Sequence, residues 1–253
     1  MTATPTPRTL YVHDDLSELL ERPEVGPHAR ALGRALLARL RGDRDRVVVL
    51  TLDAQLDALV ACGPHAPFPL ALGVGAAGAR VAAQVHARTG WFPVVERIEV
   101  WREEDGDAYV LAGPAPLDVQ LAGRVGATPV AVVDDTVFSG LTLRAVLEAL
   151  PEGARRGAHA FCLRAVEQSL AGLARLVPVT AGFRASGRLL EDVSFINASG
   201  LVRRGAIRRR GAPPLAFFER PEWMAAWFPG YHAELIALCR ALHAELEPEA
   251  VST

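Results

Sequence analysis

From Val47 onward the chain alternates short β-branched apolar runs with stretches of helical spacing. Such alternation is the pattern of βαβ units around a buried parallel sheet, whose strands read as nearly unbroken apolar runs because both faces are covered. It predicts strands at Val47–Leu52, Leu70–Val74, Val94–Val100, Val130–Val133, His159–Leu163 and Val177–Thr180. Between them it predicts helices at Asp53–Cys62 with Asp53 as N-cap, Ala79–Arg88, Leu141–Leu150 and Val166–Leu176. Ahead of this core, Leu10–Val12 is a strand candidate on an edge or arm. Leu32, Leu36, Leu37 and Leu40 form one apolar face of a helix over Ala29–Arg41. Beyond about Gly182 the alternation fades into an arginine-rich patch, a proline pair and an aromatic-rich segment. A last helix, Tyr231–Leu246, aligns Leu235, Leu238, Cys239, Leu242 and Leu246. The expected organisation is an N-terminal arm and helix (1–45), an α/β core with a parallel sheet of about five strands flanked by helices (46–183), and a C-terminal hood or cap (184–253).

Composition narrows the function classes. The 253 residues suffice for one large α/β domain with an appendage. Half are apolar, yet no run approaches the roughly 20 residues that span a bilayer, and no basic segment precedes a hydrophobic one at the N-terminus. A cytoplasmic protein with no membrane partner is expected. The formal charge of −2 gives no reason to expect a nucleic-acid partner. Cys62, Cys162 and Cys239 show no paired spacing and are expected to be small buried residues, neither disulfides nor metal ligands. His13, His28, His65, His86, His159, His232 and His243 show no catalytic or metal spacing. Every basic side chain is arginine, which removes lysine from any catalytic role.

The run that carries chemistry is Val130–Thr142. Four apolar residues end in Asp134-Asp135, at the end of a parallel strand where ligands of open α/β sheets sit. Thr136, Val137, Phe138, Ser139, Gly140, Leu141 and Thr142 then lead into a helix. Gly140 lets the backbone approach a ligand, the helix N-terminus adds unpaired N–H donors, and Ser139 and Thr142 add hydroxyls. Together they form a cup for a phosphate monoester beside two carboxylates.

This run resembles the phosphoribosyl-pyrophosphate (PRPP) motif of type I phosphoribosyltransferases. The resemblance implies that Asp134 and Asp135 contact the ribose hydroxyls and that residues 136–142 hold the 5′-phosphate. It also implies transfer of the phosphoribosyl group to a nucleobase-like nitrogen acceptor, with Mg²⁺ bridging PRPP oxygens near the acids through water rather than as a direct protein ligand set. A homodimer is a candidate assembly. In that family an earlier strand end supplies the pyrophosphate loop, and Gly75, Ala76, Ala77 and Gly78 stand where it should be, with Arg80 as the nearest basic residue. Trp101–Pro116 reads as a mobile excursion of the kind that closes over the site. Arg102 is its candidate pyrophosphate contact, and a solvated hairpin with ordinary surface charges is the alternative.

Two other readings stay open at this point. Relatives that keep the site without turnover sense PRPP or nucleotides. Alternatively, Gly73-x-Gly75-x-x-Gly78 spells a dinucleotide fingerprint, with Glu96 as the ribose acid of an oxidoreductase. Purine-using relatives place an acidic residue where this chain has Phe138. The acceptor is expected to meet the hood from about Arg184. There Phe217, Phe218, Trp223, Trp227, Phe228 and Tyr231 are either a stacking platform or core. Arg203, Arg204, Arg208, Arg209 and Arg210 are either a phosphate or nucleic-acid patch or a solvated turn.

Overall fold

The computed structural model describes residues 6–64, 67–126 and 129–247, so His65 lies outside the described residues. The chain runs β1 (Thr9–Asp14), α1 (Leu16–Leu20), α2 (Pro27–Gly42), β2 (Val47–Thr51), α3 (Leu52–Cys62), β3 (Leu70–Val74), α4 (Gly75–Thr89), β4 (Val94–Ile98), β5 (Trp101–Asp105) and β6 (Ala108–Ala112). It continues with α5 (Leu117–Leu121), β7 (Val130–Val137), α6 (Leu141–Ala149), α7 (Glu152–Arg156), β8 (His159–Val166), α8 (Glu167–Leu173) and β9 (Val179–Ala185). The last elements are β10 (Val193–Asn197), β11 (Ile207–Arg209), β12 (Ala212–Leu215), α9 (Pro221–Trp227) and α10 (His232–Leu246). Two compact units result: Asp53–Glu103 with Ala108–Leu189, and Met1–Leu52 with Glu104–Asp107 and Leu190–Thr253.

The first of these holds the expected α/β core. Its five strands, all parallel, lie in the order β4-β3-β7-β8-β9. Leu72, Val130, Val132, Ala160 and Cys162 share one apolar cluster with Leu143, Val146 and Leu147 of α6 and Leu173 of α8. Elsewhere in the unit, Phe161 packs edge-on to Phe68 and Phe92 at ring distances of 5.5 and 5.3 Å. Helix α4 lies close over β7: a Cβ added at Gly78 would stand 2.2 Å from the carbonyl oxygen of Val133, so only glycine fits there.

The other unit joins the two ends of the chain. Its sheet is β10-β1-β2, all parallel, and β1 is central rather than the edge or arm expected. Val12, Leu36, Leu40, Leu235, Cys239 and Leu242 meet in one core. The aromatic tail belongs to that core: Phe218, Trp227 and Phe228 are buried in it, with Phe217, Trp223 and Tyr231 packed against it. Most of the arginine patch is tied down. Arg203 reaches Glu247 at 3.3 Å, Arg204 reaches Glu219 at 2.8 Å, Arg210 reaches Asp105 at 2.8 Å, and Arg209 donates to the Pro213 carbonyl at 2.7 Å.

Several expectations change here. The strand at Val47 pairs with β1 instead of opening the five-stranded sheet, so the division falls after Leu52, not at 45/46. Apolar content marks a strand but not its partner, which is a long-range choice. Asp53 lies inside the first turn of α3, since the helix begins at Leu52. Trp101–Pro116 contains the β5–β6 hairpin, turned at Gly106 (φ +62°), the form given as the alternative to a mobile excursion. Cys62 is exposed on α3, while Cys162 and Cys239 are buried. Burial pushes the Cys239 thiol up to about 12 and, with the charge of Asp134, raises that of Cys162, so both are neutral packing groups.

Candidate functional site

Strands β3 and β7 are neighbours, with β4 outside one and β8 and β9 outside the other. The chain therefore leaves this pair in opposite directions, which is the topological switch point where open parallel sheets form a crevice at their carboxyl ends. Pairing of β3 with β7 stops at Gly73 opposite Val133. Strand β7 nevertheless runs on to Val137 beside β8, pairing Asp134 with Cys162, Thr136 with Arg164 and Val137 with Ala165. Asp134-Asp135 is thus a strand extension with a partner on the β8 side and an opening where β3 has ended.

The two acids sit in different environments. Asp134 is 8% exposed, and the Asp135 amide donates to its Oδ1 at 2.8 Å. Burial, and then the adjacent charge of Asp135, hold its carboxyl well above the usual carboxylate range, with Arg102 acting in the other direction. The Asp135 carboxylate accepts from the Thr136 hydroxyl and from Arg164 Nη2, each at 3.0 Å. Arg164 is completely buried and donates from Nη1 to Gln55 Oε1 at 3.1 Å, and Gln55 is itself buried on α3. A chain of polar groups, Gln55–Arg164–Asp135, therefore braces one acid of the pair from inside the fold. The sequence reading missed this brace. Its one signal was an arginine within the apolar strand HAFCLRAV, since a fully buried arginine requires a partner.

The turn within the run 136–142, expected to hold a 5′-phosphate, is shorter than that run. Thr136 and Val137 are strand residues, and the Val137 side chain is core, so it offers only backbone. The turn is Phe138-Ser139-Gly140, fastened where the Ser169 hydroxyl donates to the Phe138 carbonyl at 2.6 Å. Gly140, at φ +78°, is the N-cap of α6 and has no side chain to occupy the first-turn amides. Ser139 and Leu141 are exposed and Thr142 half-buried around it.

At the neighbouring strand end, Gly75, Ala76, Ala77 and Gly78 are the first turn of α4 and not a separate loop. Gly75 turns the chain at φ +60°, Val74 provides no side-chain cap, and Gly78 packs on β7. Arg80 follows in the second turn. Arg102 is on β5, its guanidinium 5.9 Å from the Tyr109 ring centroid, and its charge reaches Asp134. Two helix N-termini, each a positive dipole end, thus start from adjacent strand ends beside the acidic pair.

The dinucleotide pattern has a packing explanation. Gly73 is inside β3, where a Cβ would be 2.2 Å from the Ala79 Cα, and Gly78 lies against Val133. Glu96 is mid-strand, opposite Leu72 and 3.6 Å from Arg124, whereas a ribose acid belongs at the carboxyl end of its strand. Among the described residues no group of three or more His, Cys, Asp or Glu could hold a metal ion, and no helix is long and apolar enough to cross a membrane.

No family model and no curated protein matches the chain. Solved structures do match. A purine phosphoribosyltransferase from Pyrococcus horikoshii Ot3 is 20% identical over 58% of this chain and 91% of its own, with a TM-score of 0.43. The APRTase of Giardia lamblia, complexed with 9-deazaadenine, is 16% identical over 53% and 79%, with a TM-score of 0.40. A hypothetical protein from Neisseria gonorrhoeae with bound ppGpp is 14% identical over 58% and 85%, with a TM-score of 0.46. The solved structures similar to this α/β chain thus include, at low identity, members of the phosphoribosyltransferase family that its Val130–Thr142 run resembles.

Proposed function

We propose that the chain transfers the 5-phosphoribosyl group of PRPP to a nucleobase-like nitrogen acceptor and releases pyrophosphate. The observation that carries this reading is the acidic pair Asp134-Asp135 beside two helix N-termini at adjacent strand ends. PRPP has the matching shape in chemistry, with a phosphate at one end, a diphosphate at the other and a diol between.

The first turn of α6, with the amides and hydroxyls of residues 138–142, would take the 5′-phosphate. The first turn of α4, with Arg102 and Arg80 as cations, would take the pyrophosphate. Asp135, braced by Arg164, would accept hydrogen bonds from the ribose diol, with Asp134 beside it. Holding both ends fixes C1′ against the incoming nitrogen, which is most of what such a displacement requires. A Mg²⁺ ion fits the donor set, because this hard cation takes one or two carboxylates plus substrate phosphates and keeps its remaining waters. Asp134 and Asp135 would support it, and when bound it neutralises charge on the leaving pyrophosphate.

A second reading keeps the site but not the turnover, and it has its own observation. Phe138, Ser139, Gly140, Leu141 and Thr142 include no group that could act as a general base. Pyrophosphate release from PRPP and Mg²⁺ with a nucleobase panel separates the two. Release with one base establishes transfer, PRPP binding without release establishes sensing, and absence of both refutes the reading.

A further inference from the structure

Helix α2 carries a row of arginines that the proposed activity does not use. Arg30, Arg34 and Arg41 are four and seven residues apart, which at about 100° per residue puts them within about 40° on one face. The helix, PHARALGRALLARLRG, contains no acidic residue to relieve their repulsion. The row borders a cavity of about 660 Å³ between α1 and α2, whose walls include Leu20, Glu21 and Leu37.

Two of the guanidinium groups are pinned. Arg30 donates to the carbonyls of Leu20 at 3.0 Å and Arg22 at 3.1 Å, and Arg41 donates to Asp14 at 2.7 Å. Asp14 ends the central strand β1, so the cavity adjoins the carboxyl end of a parallel strand. Arg34 stands between them, exposed, with no hydrogen bond or ion pair among the described residues. Three cations therefore line the cavity, Arg41 paired with the adjoining Asp14, while the lining itself carries one carboxylate, Glu21. Arg30 and Arg34, one helical turn apart, match the spacing of neighbouring phosphoryl groups, and guanidinium forks bind such oxygens in pairs.

We propose that this cavity is a second anion site that binds a diphosphate-bearing ligand, clasped by Arg30 and Arg34, with Leu20 and Leu37 as an apolar wall. It belongs to the unit of β1, not to the unit that holds β7, and the proposal stands whether or not the chain transfers phosphoribosyl groups. The test is hydrogen exchange and calorimetry on the full chain with inorganic pyrophosphate and, separately, ADP. Expected is ligand-dependent protection of residues 16–41, retained in Asp134→Asn/Asp135→Asn, and binding at least tenfold weaker in Arg34→Ala. Because Arg34 is exposed and holds no hydrogen bond or ion pair among the described residues, this variant should melt as the wild type does, which keeps the comparison interpretable. Tighter binding of ADP would identify a nucleoside diphosphate, and equal binding the diphosphate alone. Absence of protection at 16–41, or unchanged affinity in Arg34→Ala, overturns the proposal.

Discussion

Replacing Asp134 by asparagine keeps the side chain's shape and the oxygen that accepts from the Asp135 amide, and removes only the titration. In the folded protein, burial and the Asp135 charge raise the Asp134 carboxyl well above its ordinary 3.8. The folded state therefore holds this proton more tightly than the unfolded chain. Its contribution to stability is fully present below the unfolded value and is lost as pH rises through the folded one. Between those limits this one group lowers the unfolding free energy by up to about 1.4 kcal/mol per pH unit. For a protein of this size each kcal/mol moves Tm by about 2–4 °C. The Asn variant should thus match the wild type near pH 4 and melt progressively higher than it as pH rises, by about 3–6 °C per unit at the steepest point. The assay is thermal unfolding followed by far-UV circular dichroism across pH 4–8 at constant ionic strength, without ligand. A Tm difference that does not change with pH would refute the desolvated state of Asp134.

Other perturbations reach the same site from its supports. Arg164→Met strands the Asp135 carboxylate and should cost about 3–5 kcal/mol in urea unfolding. Gln55→Leu, which leaves that ion pair in place, should cost about 1–3 kcal/mol. Gly78→Ala sets a Cβ against the Val133 carbonyl and should destabilise by about 1–3 kcal/mol, measured the same way, while moving α4 off β7.

The parallel core was legible because its strands are apolar on both faces. Leu70–Val74 has the bounds expected, and Val130, His159 and the helix at Leu141 start where expected. The acidic pair was legible because two carboxylates after an apolar run have no packing reason to be there. What was not legible depends on contacts between distant residues. The pairing of Val47–Thr51 with β1, and of β1 with β10 across the 178 residues from 15 to 192, leaves no local mark. Nor does the bond of Gln55 to Arg164, 109 residues apart. The run Gly75–Gly78 looked like a loop because glycine and alanine suit either state. A turn at Gly75 and close packing at Gly78 make it the start of a helix.

The most direct measurement is calorimetric titration with PRPP and Mg²⁺, alongside NAD and NADP, for the wild type and for Asp134→Asn/Asp135→Asn. The account predicts micromolar PRPP binding, on the order of −8 kcal/mol, abolished in the double variant, with no heat from either dinucleotide. Silence with PRPP, equal PRPP binding by the double variant, or binding of NAD instead would contradict it.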